Sequence, residues 1–97
     1  MRTIREADAA TRSLDSALEC WSRAMDAWEA ATWAIAHDPE SGEPVTESGQ
    51  TRAYSFEGAR SIDLPSVTLV YEIEDDNHLI VHDALFMDSQ HGQAGRG

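Results

Sequence analysis

Four side chains near the C-terminal end carry groups suited to acid–base or metal chemistry: His78, His82, Asp83 and His91. Imidazole titrates near neutrality, which suits a general acid or base. His78 and His82 are four residues apart in a strand-like stretch, so a strand projects them to one face. That spacing spans about 13 Å, too far for both to hold one ion. No clustered ligand spacing accompanies them, so no metal is expected. His82 is a candidate acid–base residue without a positioned partner; its ordinary reading is an exposed edge histidine. Arg52 and Arg60 flank the start of the β-rich half. In so acidic a chain their ordinary role is pairing with Glu or Asp on adjacent strands, worth about 0–1 kcal/mol each. No Ser/His/Asp order, phosphate-cradling glycine loop or Cys/His cluster occurs, and Gly42 and Gly49 read as turn glycines. No cofactor is expected.

The tryptophans offer a different chemistry, that of contact. Trp21 and Trp28 lie one heptad apart on an apolar seam and read as core. Trp33 falls about 140° from Trp28 around a helix, at 100° per residue. It leaves that seam and reads either as a partner anchor or as packed under the following loop. Cys20, the single cysteine, reads as a buried free thiol in a reducing compartment.

These residues need a frame, and residues 61–86 supply it. Val67, Leu69, Tyr71 and Ile73 alternate with Thr68, Glu72 and Glu74, the period of a strand with one buried face. Glu74, Asp75, Asp76 and Asn77 supply a turn, and a second apolar run follows over 79–86. The pair reads as an antiparallel hairpin. Residues 52–57 alternate again, Gly58 breaks the pattern, and 60–64 reads as a further short strand ended by Pro65. Upstream, Leu14, Leu18, Trp21, Met25, Trp28 and Ile35 recur at helical spacings, filled in by Ala17, Ala24, Ala27, Ala31 and Ala34. Thr11, Ser13 and Asp15 are cap candidates, so one helix or two are open, with a break near 11–15. The helix stops near Asp38, because Pro39 disfavours helical geometry in the residue before it. Residues 1–5 read as a short edge strand or an unstructured start.

The expected fold is therefore α+β: an N-terminal helix or helix pair on a three- to four-stranded antiparallel sheet. It forms a single domain over 1–97. Residues 1–37 are the helical part, 38–51 a loop, 52–88 the sheet, and 89–97 a tail without an apolar anchor. Ninety-seven residues, 41% of them hydrophobic, suffice for one core. Eighteen acids face seven arginines and no lysine, a net charge of −11 that argues against nucleic acid. We read this as a solvated acidic surface; a docking face for an Arg-rich partner is the sharper alternative. No apolar run approaches the ~20 residues of a membrane span, and the N-terminus lacks an apolar signal core. No membrane association and a cytoplasmic location are expected.

The ordered set of features resembles the RelE/ParE superfamily of toxins from prokaryotic toxin–antitoxin pairs. A helix ends in Ala36, His37, Asp38 and Pro39, and a loop with Gly42 and Gly49 follows. Next come the Arg-bearing strand over 52–57, then Pro65 with Val67 through Ile73, an acidic turn, and the last strand over 79–86. The resemblance spans about residues 14–88 and implies N-terminal helices against a small antiparallel sheet. It also implies a cognate antitoxin as partner. In RNA-cleaving relatives, arginines placed like Arg52 and Arg60 hold phosphate. The departures are specific. Where the nuclease branch carries a basic residue three before the central tyrosine, this chain has Thr68. Where that branch ends its last strand with His, Arg or Tyr, this chain reads Ala84, Leu85, Phe86 and Met87. The family's first strand is reduced to a remnant at 2–5. Three functions follow as expectations: a toxin or toxin-derived protein that binds a partner without cleaving RNA; a ribosome-dependent endoribonuclease using Arg52, Arg60 and His82; or a stand-alone acidic interaction module, dimeric through Trp33. Partner contact is expected at Trp33 and Phe86.

Overall fold

The computed structural model describes residues 2–89. The expected hairpin is its centre. Strand β4, Ser66–Asp75, runs antiparallel to β5, His78–Met87, with Val67 opposite Phe86, Leu69 opposite Ala84 and Tyr71 opposite Val81. At the turn the Asn77 N–H donates to Asp75 Oδ1 at 2.8 Å. The ladder slips twice: Val70 faces Asp83 and Tyr71 faces Val81, leaving His82 as the extra residue of a bulge, and a second shift falls between Ile73 and Asp75 at the turn. The bulge explains why the second apolar run lacks clean alternation. Buried positions fall on Leu79 and Val81 before it and on Ala84 after it.

The remaining strands correct the expected meander. β3, Thr51–Phe56, pairs antiparallel with β4, and β2, Glu43–Pro44, adds two residues inside the expected loop. β1, Thr3–Glu6, pairs parallel with β5 from His78 to Val81. The sheet is thus five-stranded and mixed, in the order β1-β5-β4-β3-β2, rather than three- or four-stranded and antiparallel. β1 carries one apolar residue, Ile4, which is too few for a period of two to register. It is a strand because β5 offers it a ladder, which Ala7 N–H extends to Val81 O at 2.9 Å.

Residues 60–64 are not a strand. Arg60–Ile62 form a 3-10 turn, closed by the mutual bonds of Ala59 and Leu64 at 2.9 and 3.1 Å. Gly58 permits this: a Cβ there would lie 2.1 Å from Leu64 O. Asp63 takes the left-handed conformation, φ 59°, which Asp tolerates better than most residues.

Helices α1, Asp8–Cys20, and α2, Ala24–His37, lie on one face of the sheet. Two helices are present, but the break falls at residues 21–23; Thr11, Ser13 and Asp15 lie inside α1. Tertiary contacts set that position. Trp21 leaves the helix in extended geometry, stacks on Phe86 with ring centroids 6.5 Å apart, and donates its indole N–H to Asp88 Oδ1 at 2.8 Å. The break resets the helical phase. Leu18 and Met25, assigned to a continuous seam, are 43% and 39% exposed, and Cys20 is exposed rather than buried. Small residues do the burying instead: Ala10 and Ala17 with Leu14 on α1, and Ala24, Ala27, Ala31 and Ala36 with Trp28 and Ile35 on α2. α2 ends where Pro39 requires, and the Asp38 carboxylate accepts the Glu40 N–H at 3.1 Å. The tail expectation lies, save for Ser89, outside the described residues. No described helix is long and apolar enough to cross a membrane.

Candidate functional site

Arg52 is a clamp for the 38–51 loop. Its Nε donates to Gly49 O at 2.8 Å, and its Nη1 to Gly42 O at 2.8 Å and Glu40 O at 3.2 Å. Tyr71 holds the same loop from beneath. Its hydroxyl donates to Pro39 O at 2.6 Å and accepts the Gly42 N–H at 3.1 Å. Burial pushes the Tyr71 hydroxyl above its ordinary pKa, so its ionisation at alkaline pH opposes folding. Gly42 is required here, since a Cβ would meet the Tyr71 hydroxyl at 2.6 Å. The expected pairing of Arg52 with an acidic side chain is thus replaced by backbone carbonyls.

His82 pairs with Glu72, Nε2 to Oε1 at 2.9 Å, on the exposed face of the sheet. Arg52 stands opposite Tyr71 in the ladder, and Glu72 is the next residue of β4, so Arg52 and His82 leave the sheet on opposite faces. Arg60 is exposed on the 3-10 turn, and its guanidinium has no hydrogen-bond or ion-pair partner among the described residues. The three candidates for RNA cleavage therefore do not converge on one point. His78 pairs with Asp75 at 2.8 Å and not with His82. No group of three potential metal ligands occurs among the described residues.

Asp63 does unforeseen work at the helix break. Its Oδ2 accepts the Ser22 N–H at 2.6 Å, and its carbonyl accepts the Arg23 N–H at 3.4 Å. The bond from the Ser22 backbone holds the Asp63 carboxyl below its ordinary pKa. A carboxylate with a lowered folded pKa stabilises above its unfolded pKa, and that stability is lost as pH falls through the folded value. Asp63→Asn keeps a residue suited to left-handed geometry and removes the charge. The stability gap between wild type and Asp63→Asn is expected to be largest at neutral pH and to close in acid. Urea unfolding across a pH series checks this; a gap independent of pH contradicts it.

The two contact candidates fare differently from the cleavage candidates. Trp33 is 59% exposed, so it does not pack under the loop. It stacks on His37 with ring centroids 3.8 Å apart, and His37 Nδ1 lies 2.9 Å from Trp33 O. A groove of about 340 Å3 runs beside it, lined by Arg2, Ile4, Glu29, Thr32 and Ala36. Phe86 is half-buried and lines a larger groove of about 560 Å3 between α1 and the end of β5. Leu85 and Met87, alternating with Phe86, are 59% and 48% exposed. This second groove was missed as a unit. Its signal was the shift of buried positions from odd to even across His82, which sequence alternation shows only once the bulge is placed.

The fold and these surfaces define a class no finer than a helix pair on a five-stranded mixed sheet with two apolar grooves. Compared with family models, curated proteins and solved structures, the chain matches none.

Proposed function

We propose that this chain is a divergent RelE/ParE-like toxin, or a toxin-derived protein, of a toxin–antitoxin pair that acts by binding a protein partner and does not cleave RNA. The fate of Arg52 carries the second half of this reading: its guanidinium is occupied by three loop carbonyls. Cleavage of RNA needs cations aimed at one scissile phosphate to stabilise developing charge. Here His82 is tied to Glu72 on the other face, and Arg60 stands in a separate loop. The net charge of −11 adds long-range repulsion of RNA. The first half is supported by the ordered motifs described above, by a helix pair on one sheet face, and by apolar surface left open at Trp33, Leu85 and Met87. An antitoxin would cover that surface with an amphipathic helix or a strand.

Co-expression with the protein encoded beside it tests the partner. A stable complex on size-exclusion chromatography, with Trp33 or Leu85 withdrawn from solvent, is expected. Separate elution of the two proteins at micromolar concentration contradicts the pairing.

A further inference from the structure

β1 covers β5 only from His78 to Val81. Beyond Val81 no described strand lies on that side, while β4 continues on the other as far as the pair Ser66 and Met87. Among the described residues, 83–87 are thus a strand with one open edge, a row of backbone groups able to receive another chain. α1 lies alongside and leaves the 560 Å3 groove, whose apolar lining includes Ala17, Trp21, Ala84 and Phe86. An open edge beside an apolar groove is the geometry that an extended chain fills by strand addition: the backbone bonds to the edge and alternate side chains enter the groove.

Asp83 indicates which chain. Its Oδ1 accepts the Ala84 N–H at 2.8 Å and the Ser13 hydroxyl at 3.5 Å. A carboxylate folded onto its own edge guards that edge against indiscriminate pairing. An added strand must take its place on the Ala84 N–H, and a cation beside Asp83 compensates the displaced carboxylate. Arg12 and Asp83 are the two charged residues of the groove lining, so the incoming cation belongs at the Asp83 end. The net charge of −11 acts in the same sense, attracting a basic segment and repelling a second copy of this chain.

We infer that the edge of β5 over residues 83–87 takes an extended, Lys- or Arg-bearing segment of a partner protein as a sixth strand, with its apolar side chains under α1 and its cation on Asp83. This rests on the partner-binding reading and names the partner's chemistry and mode of docking.

The probe is a short synthetic peptide alternating valine with lysine, titrated into the isotope-labelled chain and followed by amide shifts and hydrogen exchange. Shifts centred on residues 83–87, with slowed exchange there, are expected. Asp83→Asn, which keeps an oxygen for the Ala84 N–H, is expected to weaken binding roughly tenfold, the scale of one charge-assisted contact. Equal binding by the glutamate analogue, or by a lysine peptide N-methylated along one edge, overturns the inference. So does binding that leaves 83–87 unperturbed, or no binding at all. Protection of 83–87 without peptide, together with a dimeric mass, assigns the edge to a second copy and also overturns it. The two readings fail separately. A native complex whose 83–87 amides exchange freely sinks this inference and leaves partner binding standing. A peptide seated on the edge without any native complex does the reverse.

Discussion

Replacing Trp28 with alanine is expected to destabilise the chain by about 3–5 kcal/mol, the usual cost of deleting a large buried aromatic side chain. Trp28 is 5% exposed and belongs to the core that α2 shares with Leu69, Tyr71, Leu79 and Val81. Small domains hold only about 5–15 kcal/mol in all, so this one change removes a large part of the margin. Trp33→Ala is the matched control. It lies five residues further along the same helix but is 59% exposed, and its loss is expected to stay within about 0.5 kcal/mol. Urea unfolding reads both as shifts of the midpoint at constant slope. Similar small losses for the two variants would place the buried face of α2 wrongly.

Tyr71→Phe is expected to cost about 2–4 kcal/mol although the ring keeps its place. The Tyr71 side chain is fully buried and its hydroxyl holds two backbone groups, Pro39 O and the Gly42 N–H. Phenylalanine leaves both without this partner, at about 1–3 kcal/mol for each buried group stranded. The damage is local, since Arg52 still grips Gly42, Gly49 and Glu40. Faster hydrogen exchange at Gly42, with the β4–β5 amides unchanged, is the expected signature. A neutral substitution would mean that the hydroxyl does not anchor the loop.

These two residues also mark how much was legible beforehand. Tyr71 sits in the clean alternation of 67–73, and both its strand and its burial follow from that period. Trp28 was placed correctly, but its seam was not. A single phase over 14–35 exposes Leu18 and Met25 in fact, because the chain stops being helical at 21–23. Nothing local announces that stop. It arises from Trp21 meeting Phe86 and Asp88, and from Asp63 receiving the Ser22 N–H, all contacts distant in sequence. A short edge strand over 1–5 was one of two readings, and β1 at Thr3–Glu6 fits it; its parallel partner was hidden, because its ladder belongs to β5, more than seventy residues away. Among site residues, the departure of Trp33 from the buried seam was readable from helical phase. Arg52 was noticed as a cation, but its role depends on three carbonyls that only the folded loop presents.

Ribosome-dependent cleavage of messenger RNA tests the central claim most directly. The wild-type chain is added to a reconstituted translation reaction, and the message is mapped by primer extension. An Arg60→Ala, His82→Ala double variant runs beside it; Arg52 is left intact because its loss would disturb the loop it clamps. The expected result is no site-specific cleavage by either protein. Cleavage by the wild type that disappears in the double variant would contradict the account and make the chain a nuclease.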